Sequence, residues 1–220
     1  MNVKISDLYD LEHTIAADYL RQYEYPWEAL AGIKNFILEL GPTLPKEEFE
    51  EVSEHVWIAR DAKVFPSAYL GAPLIVDHEA EIRQCAFIRG SAIVGKNSVV
   101  GNSTELKNSI LMDHVQCPHF NYVGDSILGY YSHTGAGVIT SNLKSDHSLV
   151  VVKDGEEKIE TGIKKFGAML GDHVEVGCNS VLNPGTVVCC NTNIYPLSNV
   201  RGVVPANSIF KAAGNVVTKR

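Results

Sequence analysis

The chain has 220 residues, 45% of them hydrophobic and 20% charged, with a formal net charge of −7. That size suits one sizeable domain with an appendage, and the lack of a basic block argues against broad nucleic-acid or anionic-membrane binding. No apolar run reaches the roughly 18 residues of a membrane span, and the start, MNVKISDLYDLEH, has no signal core, so a cytoplasmic, reducing setting is expected.

Residues 1–52 read as a helical segment. Leu11, Ile15 and Tyr19 recur at helical spacing after the polar start at Ser6 and Asp7. A second helix is better marked: Pro26 suits the first helical position, and Trp27, Leu30, Ile33, Ile37 and Leu40 form an apolar stripe. Gly41 and Pro42 stop it. Glu47, Glu48, Glu50 and Glu51 then make an acidic connector, expected to be solvated.

From residue 58 a period of six takes over. Ile58, Val64, Leu70, Val76, Ile82, Ile88, Val94, Val100 and Leu106 are in register. The register slips, resumes through Val123, Leu128, Thr134 and Thr140, and returns in Leu170, Val176, Leu182, Val188, Ile194 and Val200. Helices prefer spacings of three and four, and simple amphipathic strands alternate by two. A sustained six is the mark of a parallel β-helix, in which three short strands close a triangular coil and coils stack at about 4.8 Å. Gly follows the inward residue at Gly95, Gly101, Gly124, Gly129, Gly171 and Gly177, which predicts corner turns at those glycines.

Residues 143–165 break the repeat with charges and the turn pair Asp154-Gly155. They predict a loop or hairpin projecting from the prism, on the face that binds. The open ends of the stack need caps. Residues 1–50 are assigned to one end and 201–220 to the other. The expected organisation is thus a helical segment over 1–52, a β-helix over 53–210 and a tail over 211–220. The five cysteines, Cys85, Cys117, Cys178, Cys189 and Cys190, lack CxxC spacing and read as free buried thiols.

The run PHFNYVGDSILGYYSHTGAGVITSN (118–142) resembles the acetyltransferase half of bifunctional bacterial enzymes that acetylate glucosamine-1-phosphate and then couple it to a uridylyl group. It is closer still to the C-terminal β-helix of archaeal sugar-1-phosphate nucleotidylyltransferases, in which TGIKKFGAMLGDHVEVGCNSVLNPGTVV (161–188) also has a counterpart. The likeness covers about residues 56–210. It implies an all-β fold, a left-handed parallel β-helix of hexapeptide repeats, with acetyl-CoA as acyl donor. The handedness comes from this resemblance, since spacing does not fix it and general chirality rules favour the opposite hand. The large nucleotidylyltransferase domain has no counterpart before residue 56, so pyrophosphorylase activity is not expected.

Carried over position by position, the resemblance makes His119 the general base, a role suited to an imidazole that titrates near working pH. Tyr122, Arg89 and Lys107 match residues that hold the sugar phosphate. Arg89 and Lys107 stand one coil apart, so the two cations should stack on one face. Asn142 matches a positioning residue, followed here by Leu143-Lys144 as in the archaeal enzymes. Ala136 matches a backbone contact to pantetheine, and Cys178 a small residue lining the same groove. Lys144, Lys164 and Lys165 are candidates for the anionic end of coenzyme A. His133 replaces an asparagine that touches the sugar, which opens the acceptor to another amino-sugar phosphate or a nucleotide sugar. The resemblance also implies a homotrimer with sites between prisms, and no nucleic-acid or membrane partner is expected.

Two other readings compete. His78, His114 and His119 are spaced like the three-histidine zinc site of γ-class carbonic anhydrases, although the supporting Arg and Asp of that family are missing at the matching offsets. A non-catalytic module for trimerisation or sugar-nucleotide binding, working beside a separate nucleotidylyltransferase, is the other.

Overall fold

The computed structural model describes residues 1–219; Arg220, the end of the expected tail, lies outside the described residues. Short strands stack in parallel coils around a triangular core, as the hexad period requires. Each coil contributes to three faces. One, the covered face, holds Val56–Ala59, Leu74–Val76, Ala92–Val94, the second halves of Glu105–Leu111 and Tyr122–Leu128, then Ala168–Leu170, Thr186–Val188 and Val203–Val204. The open face holds Tyr69–Leu70, Phe87–Ile88, the first halves of the two long strands, Ile139–Thr140, Val181–Leu182 and Asn199–Val200. The tail face runs from Lys63–Val64 through Glu81–Ile82, Val99–Asn102, Gln116–His119, His133–Thr134, Glu175–Val176 and Asn193–Ile194 to Ser208–Ala212.

The hexad residues point inward. From Val76 to Leu106 and from Leu170 to Val200 none is more than 3% exposed. The slip in register also has a plain form. Val100 stacks on Cys117, Leu106 on Val123 and Leu111 on Leu128, giving coils one residue shorter than their neighbours. Leu111 and Cys117 are therefore inward residues that the six-residue count passes over, and both are fully buried.

The glycine expectation needs correction. Corners are turned by residues in the left-handed region, among them Asn97, Ser103, Asn108, Phe120, Asp125 and Tyr131, with φ between 49° and 55°. The glycines after inward residues do different work. A Cβ at Gly95 would come within 2.6 Å of the Met112 backbone in the next coil, and one at Gly101 would run into Pro118. Coil-to-coil approach, not a positive φ, selects glycine there.

Most of the N-terminal segment is not an end cap; only its last residues close the first coil. It runs along the covered face from the last coils back to the first. Asn2 meets Cys189, Tyr9 donates from its hydroxyl to Ile127 O at 3.3 Å, Leu30 O accepts from Asn108 at 3.1 Å, and Gly41 packs against Trp57. Its outer shape is a strap of short pieces: Leu11–His13 and Pro26–Ala31 are 3₁₀ turns, Ala17–Leu20 one α turn, and Ile33–Leu40 the longest helix. The expected long second helix is broken at Gly32, where Tyr19 lies too close for any side chain. The apolar stripe is used as expected: Trp27, Leu30, Ile33 and Ile37 are buried, with Trp27 stacked on Phe166 at 5.6 Å. The acidic connector is ordered rather than merely solvated. Phe49–Ser53 pairs antiparallel with Val56–Ala59 and closes that edge of the stack.

Residues 143–165 form the expected hairpin, Val151–Asp154 against Glu157–Glu160. It does not project freely. Val150 and Val152 are fully buried, and Lys153 O lies against Gly202 of the penultimate coils. At the far end Asn215–Thr218 folds back on Ser208–Ala212, so the tail closes the stack with an antiparallel edge. Among the described residues no helix is long and apolar enough to cross a membrane. All five thiols are free, but Cys85 and Cys178 are exposed, against the expectation of burial. Burial pushes the Cys117 thiol up to about 12.

Candidate active site

The open face has two outward columns, because alternate residues of each rung leave the core. One column carries Tyr69, Phe87, Glu105, Tyr122 and Ile139 in successive coils. In the other, Lys107 pairs with Gly124. Arg89 precedes Lys107 by one rung, since Ile88 pairs with Leu106. The expected stack of Arg89 beneath Lys107 is therefore present as geometry.

Neither cation is free. Arg89 Nη1 donates to Glu105 Oε1 at 2.8 Å. Lys107 Nζ donates to both carboxylate oxygens of Asp125 at 2.8 Å. Asp125 is 3% exposed, and a buried carboxylate requires this much company. Asn108 Nδ2 reaches its Oδ1 at 2.9 Å and Asn142 Nδ2 its Oδ2 at 2.5 Å. Asn142 also donates to the Tyr122 hydroxyl at 3.1 Å. The left-handed corners at Asn108 (φ 51°) and Asp125 (φ 49°) aim these side chains at one another.

Tyr122 lies across Gly124. A Cβ at 124 would stand 2.5 Å from the Tyr122 hydroxyl, so glycine is the residue that lets the ring lie flat on the face. Burial raises the Tyr122 pKa, and Asp125 and Glu105 add to the rise while Arg89 opposes it. The glutamate and the aspartate are thus electrostatic neighbours of the phenol.

Of the expected acceptor residues, the structure gathers Arg89, Lys107, Tyr122 and Asn142 into one cluster. Sequence reasoning passed over Glu105 and Asn108, and used Asp125 only as part of the Gly124-Asp125 motif that marks the family. The signal for them was available: they neighbour Lys107 and Gly124 along the chain, and two carboxylates and an amide suit a site that must balance two cations.

His119 ends the tail-face strand Gln116–His119, just before the corner at Phe120, and is exposed. Its backbone is fixed, with N–H donating to Asn121 Oδ1 at 3.2 Å and the carbonyl accepting from Gly137 N–H at 3.1 Å. Among the described residues its ring makes no hydrogen bond, and it lies across the corner from Tyr122. His133 is separate. It sits on the tail face, in register with Gln116 and Glu175, and its Nδ1 pairs with Glu175 Oε2 at 2.7 Å. Ala136 and Cys178 are brought together: the Ala136 carbonyl accepts from Asn179 N–H, and Cys178 packs against Gly135. Lys144, Lys164 and Lys165 lie at the foot of the hairpin. Lys144 bonds to Ser148, and Lys165 bridges Leu143 through its backbone.

The three histidines of the zinc reading do not meet within the chain. His78 and His114 share a corner two coils apart, linked through Asn97 and Lys96, while His119 lies on another edge. His78 is held by Asp61 at 3.0 Å and Glu48 at 3.3 Å, and His114 is stacked on Tyr131 at 4.4 Å. Among the described residues no group of three His, Cys, Asp or Glu side chains is arranged to hold a metal.

Comparison with known proteins adds to this geometry. The bifunctional protein GlmU of Methanococcus vannielii is 31% identical over 194 residues, covering 87% of this chain and 46% of the relative. A bifunctional sugar-1-phosphate nucleotidylyltransferase/acetyltransferase of Sulfurisphaera tokodaii is 31% identical over 165 residues, covering 75% and 41%. The chain thus spans less than half the length of these two relatives. Among solved structures, the acetyltransferase domain of PglB from Neisseria gonorrhoeae, in complex with acetyl coenzyme A, is 15% identical with a TM-score of 0.34, covering 73% of this chain and 56% of that one. PerB from Caulobacter crescentus, in complex with CoA and GDP-perosamine, is 17% identical with a TM-score of 0.29, covering 86% and 67%. The sequence pattern of the GMPPB C-terminal domain matches residues 70–199, well over half of the chain, and the protein belongs to that family.

Proposed function

We propose that the chain is an acetyl-CoA-dependent N-acetyltransferase whose acceptor is an amino-sugar phosphate, of the glucosamine-1-phosphate kind, or a nucleotide-linked amino sugar. The observation that carries this reading is the cluster of Arg89, Lys107, Tyr122 and Asn142 on an uncovered face, one corner away from the unengaged His119. The name of the Sulfurisphaera relative, which joins sugar-1-phosphate chemistry with acetyl transfer, supports it.

In this reading the phosphate of the acceptor displaces Glu105 from Arg89 and takes the guanidinium in a charge-assisted pair. Lys107 stays tied to Asp125 and adds positive potential beside it. Tyr122 and Asn142 position the sugar. The acceptor's amine nitrogen attacks the thioester carbonyl carbon, so a C–N bond forms as the C–S bond breaks. His119 takes the proton lost by the amine and returns one to the departing CoA thiolate. Ala136 and Cys178 line the pantetheine path, with Lys144, Lys164 and Lys165 near its anionic end. His133, held by Glu175 on the tail face, touches the acceptor only if the site extends round the corner past His119. The exposed apolar row of Tyr69, Phe87 and Ile139, with Phe120 and Leu197 at the adjoining corner, supports self-association into a trimer with the site between prisms. Light scattering tests that state.

The decisive experiment is a thiol-release assay with acetyl-CoA and glucosamine-1-phosphate. Turnover is expected, and His119→Ala should lower kcat about 10²- to 10⁴-fold without a change in unfolding midpoint, because the ring is exposed. Activity that survives His119→Ala unchanged would remove the general-base assignment.

One observation favours a second reading, a non-catalytic sugar-nucleotide-binding or trimerisation module: both cations of the cluster are already neutralised by the chain's own carboxylates. A trimer that binds the sugar phosphate yet never releases thiol would establish it.

A further inference from the structure

Around the prism from the open face, a cavity of about 270 Å³ lies between the N-terminal strap and the corner that joins the covered and tail faces. Two buried carboxylates end in it: Asp77 is 2% exposed and Asp113 9%. Each uses one oxygen. Asp77 Oδ1 accepts from His78 N–H at 2.8 Å, and Asp113 Oδ1 accepts from Lys96 N–H at 2.9 Å. The second oxygen of each receives no hydrogen bond from the described residues. Neither is sealed away, because the only enclosed side-chain polar atom without a partner among those residues is Ser132 Oγ.

A third aspartate at the same corner shows what the strap can supply. Asp172 lies two coils beyond Asp113 in the same column. Both its oxygens are taken, one by Tyr130 N–H at 2.8 Å and the other by Asp10 N–H of the strap at 2.7 Å. The strap therefore closes one corner carboxylate with its own backbone and arches over the other two. The two free oxygens open onto the cavity without a donor from the chain, so an external cation can reach both and gain a charge-assisted hydrogen bond to each.

The remaining lining defines the donor. Burial raises the Asp77 pKa, and Asp113 adds to the rise while Lys96 lessens it. Lys96 faces the same cavity but makes no ion pair among the described residues, so the carboxylates keep an excess of negative charge. Ile15, Leu44 and Phe49 form an apolar patch of the lining; Glu12 and Glu48 also border the cavity but are paired, with Arg21 and His78 respectively. Among the described residues no group of three His, Cys, Asp or Glu side chains is arranged to hold a metal ion, so a single ammonium fits the pair of aspartates better. We propose that this cavity binds a small aliphatic amine, with its ammonium group between Asp77 and Asp113 and its hydrocarbon part against Ile15, Leu44 and Phe49. The site is independent of the acyl-transfer cluster on the open face.

The test is an NMR titration of the full chain with n-butylammonium chloride at constant ionic strength. Saturable shifts are expected at the backbone amides of His78 and Lys96, the groups that donate to the two aspartates. The double substitution Asp77→Asn, Asp113→Asn should weaken binding at least tenfold. n-Butanol should produce no such shifts, and the ammonium group of glucosamine, carried on a hydroxylated body, should bind more weakly. If the double variant does not fold, the site of the shifts in the native chain decides the matter. Shifts that are absent, unsaturable, located elsewhere, unchanged in the variant or matched by n-butanol would overturn the proposal. So would saturation by magnesium chloride at the same amides, or equal affinity for glucosamine.

Discussion

The covered and open faces are built from the same coils, and two of their rungs are halves of the same strands, Glu105–Leu111 and Tyr122–Leu128. Their inward residues are interchangeable aliphatics. Their outward residues are not. On the covered face the strands at Leu74–Val76, Ala92–Val94 and Ala168–Leu170 are buried throughout, because the strap lies on them. On the open face the outward positions carry Phe87, Arg89, Glu105, Lys107 and Tyr122, which stay at least partly exposed. A repeat that fixes the core leaves the outer surface of each face free to diverge. Here one face became a seat for the chain's own N-terminal segment and the other a polar cluster. The strap determines which face stays available.

The comparison breaks first at Trp27, the largest strap residue on the covered face. Trp27→Ala removes its contact with Phe166 and should cost about 3–5 kcal/mol of stability, measured by urea unfolding. A loss below about 1 kcal/mol would mean that the strap is not an integral layer. On the open face, Lys107→Met leaves the buried Asp125 without its cation. The two asparagine amides remain and Lys107 is partly solvated, so about 2 kcal/mol is expected, less than a fully buried pair would lose. Asp125→Asn in the same background should recover part of it, which a double-mutant cycle reads directly. Gly124→Ala forces the Tyr122 ring off the face. It should cost about 1–2 kcal/mol and raise the acceptor KM more than it lowers kcat.

The smallest effect concerns the junction of strap and prism. His78 ties Glu48, at the end of the strap, to Asp61 on the first coil. Burial opposes its charge, but the Asp61 hydrogen bond and the surrounding carboxylates outweigh this and raise the His78 pKa. The His78 hydrogen bond lowers the Asp61 pKa. A raised histidine gives stability that is full below its unfolded value, near 6.5, and lost as pH rises through the folded value. A lowered aspartate gives stability that is present above about 3.9 and lost as pH falls through its folded value. The tie is therefore strongest from about pH 4 to pH 6.5. The difference in melting temperature between wild type and His78→Gln should peak in that window and shrink on both sides; a difference independent of pH would remove the ion-pair account.

The sequence determined the coil. One aliphatic residue every six positions calls for stacked triangular coils, though not for their hand, and Val76 through Leu106 and Leu170 through Val200 obey it. Local likeness to a known family also marked Arg89, Lys107, Tyr122 and Asn142. Periodicity alone could not show that the coils shorten at Leu111 and Cys117, because a five-residue step reads as noise in a count of six. Nor could it tell glycines that turn from glycines that merely let backbones approach. Only the tertiary structure decided that the N-terminal residues lie along a face instead of over an end, since their apolar stripe fits any apolar surface equally well. The same holds for the partners of Arg89 and Lys107. Glu105 and Asp125 come to them through corner geometry and coil register, which depend on where the chain turns and not on which residues it contains.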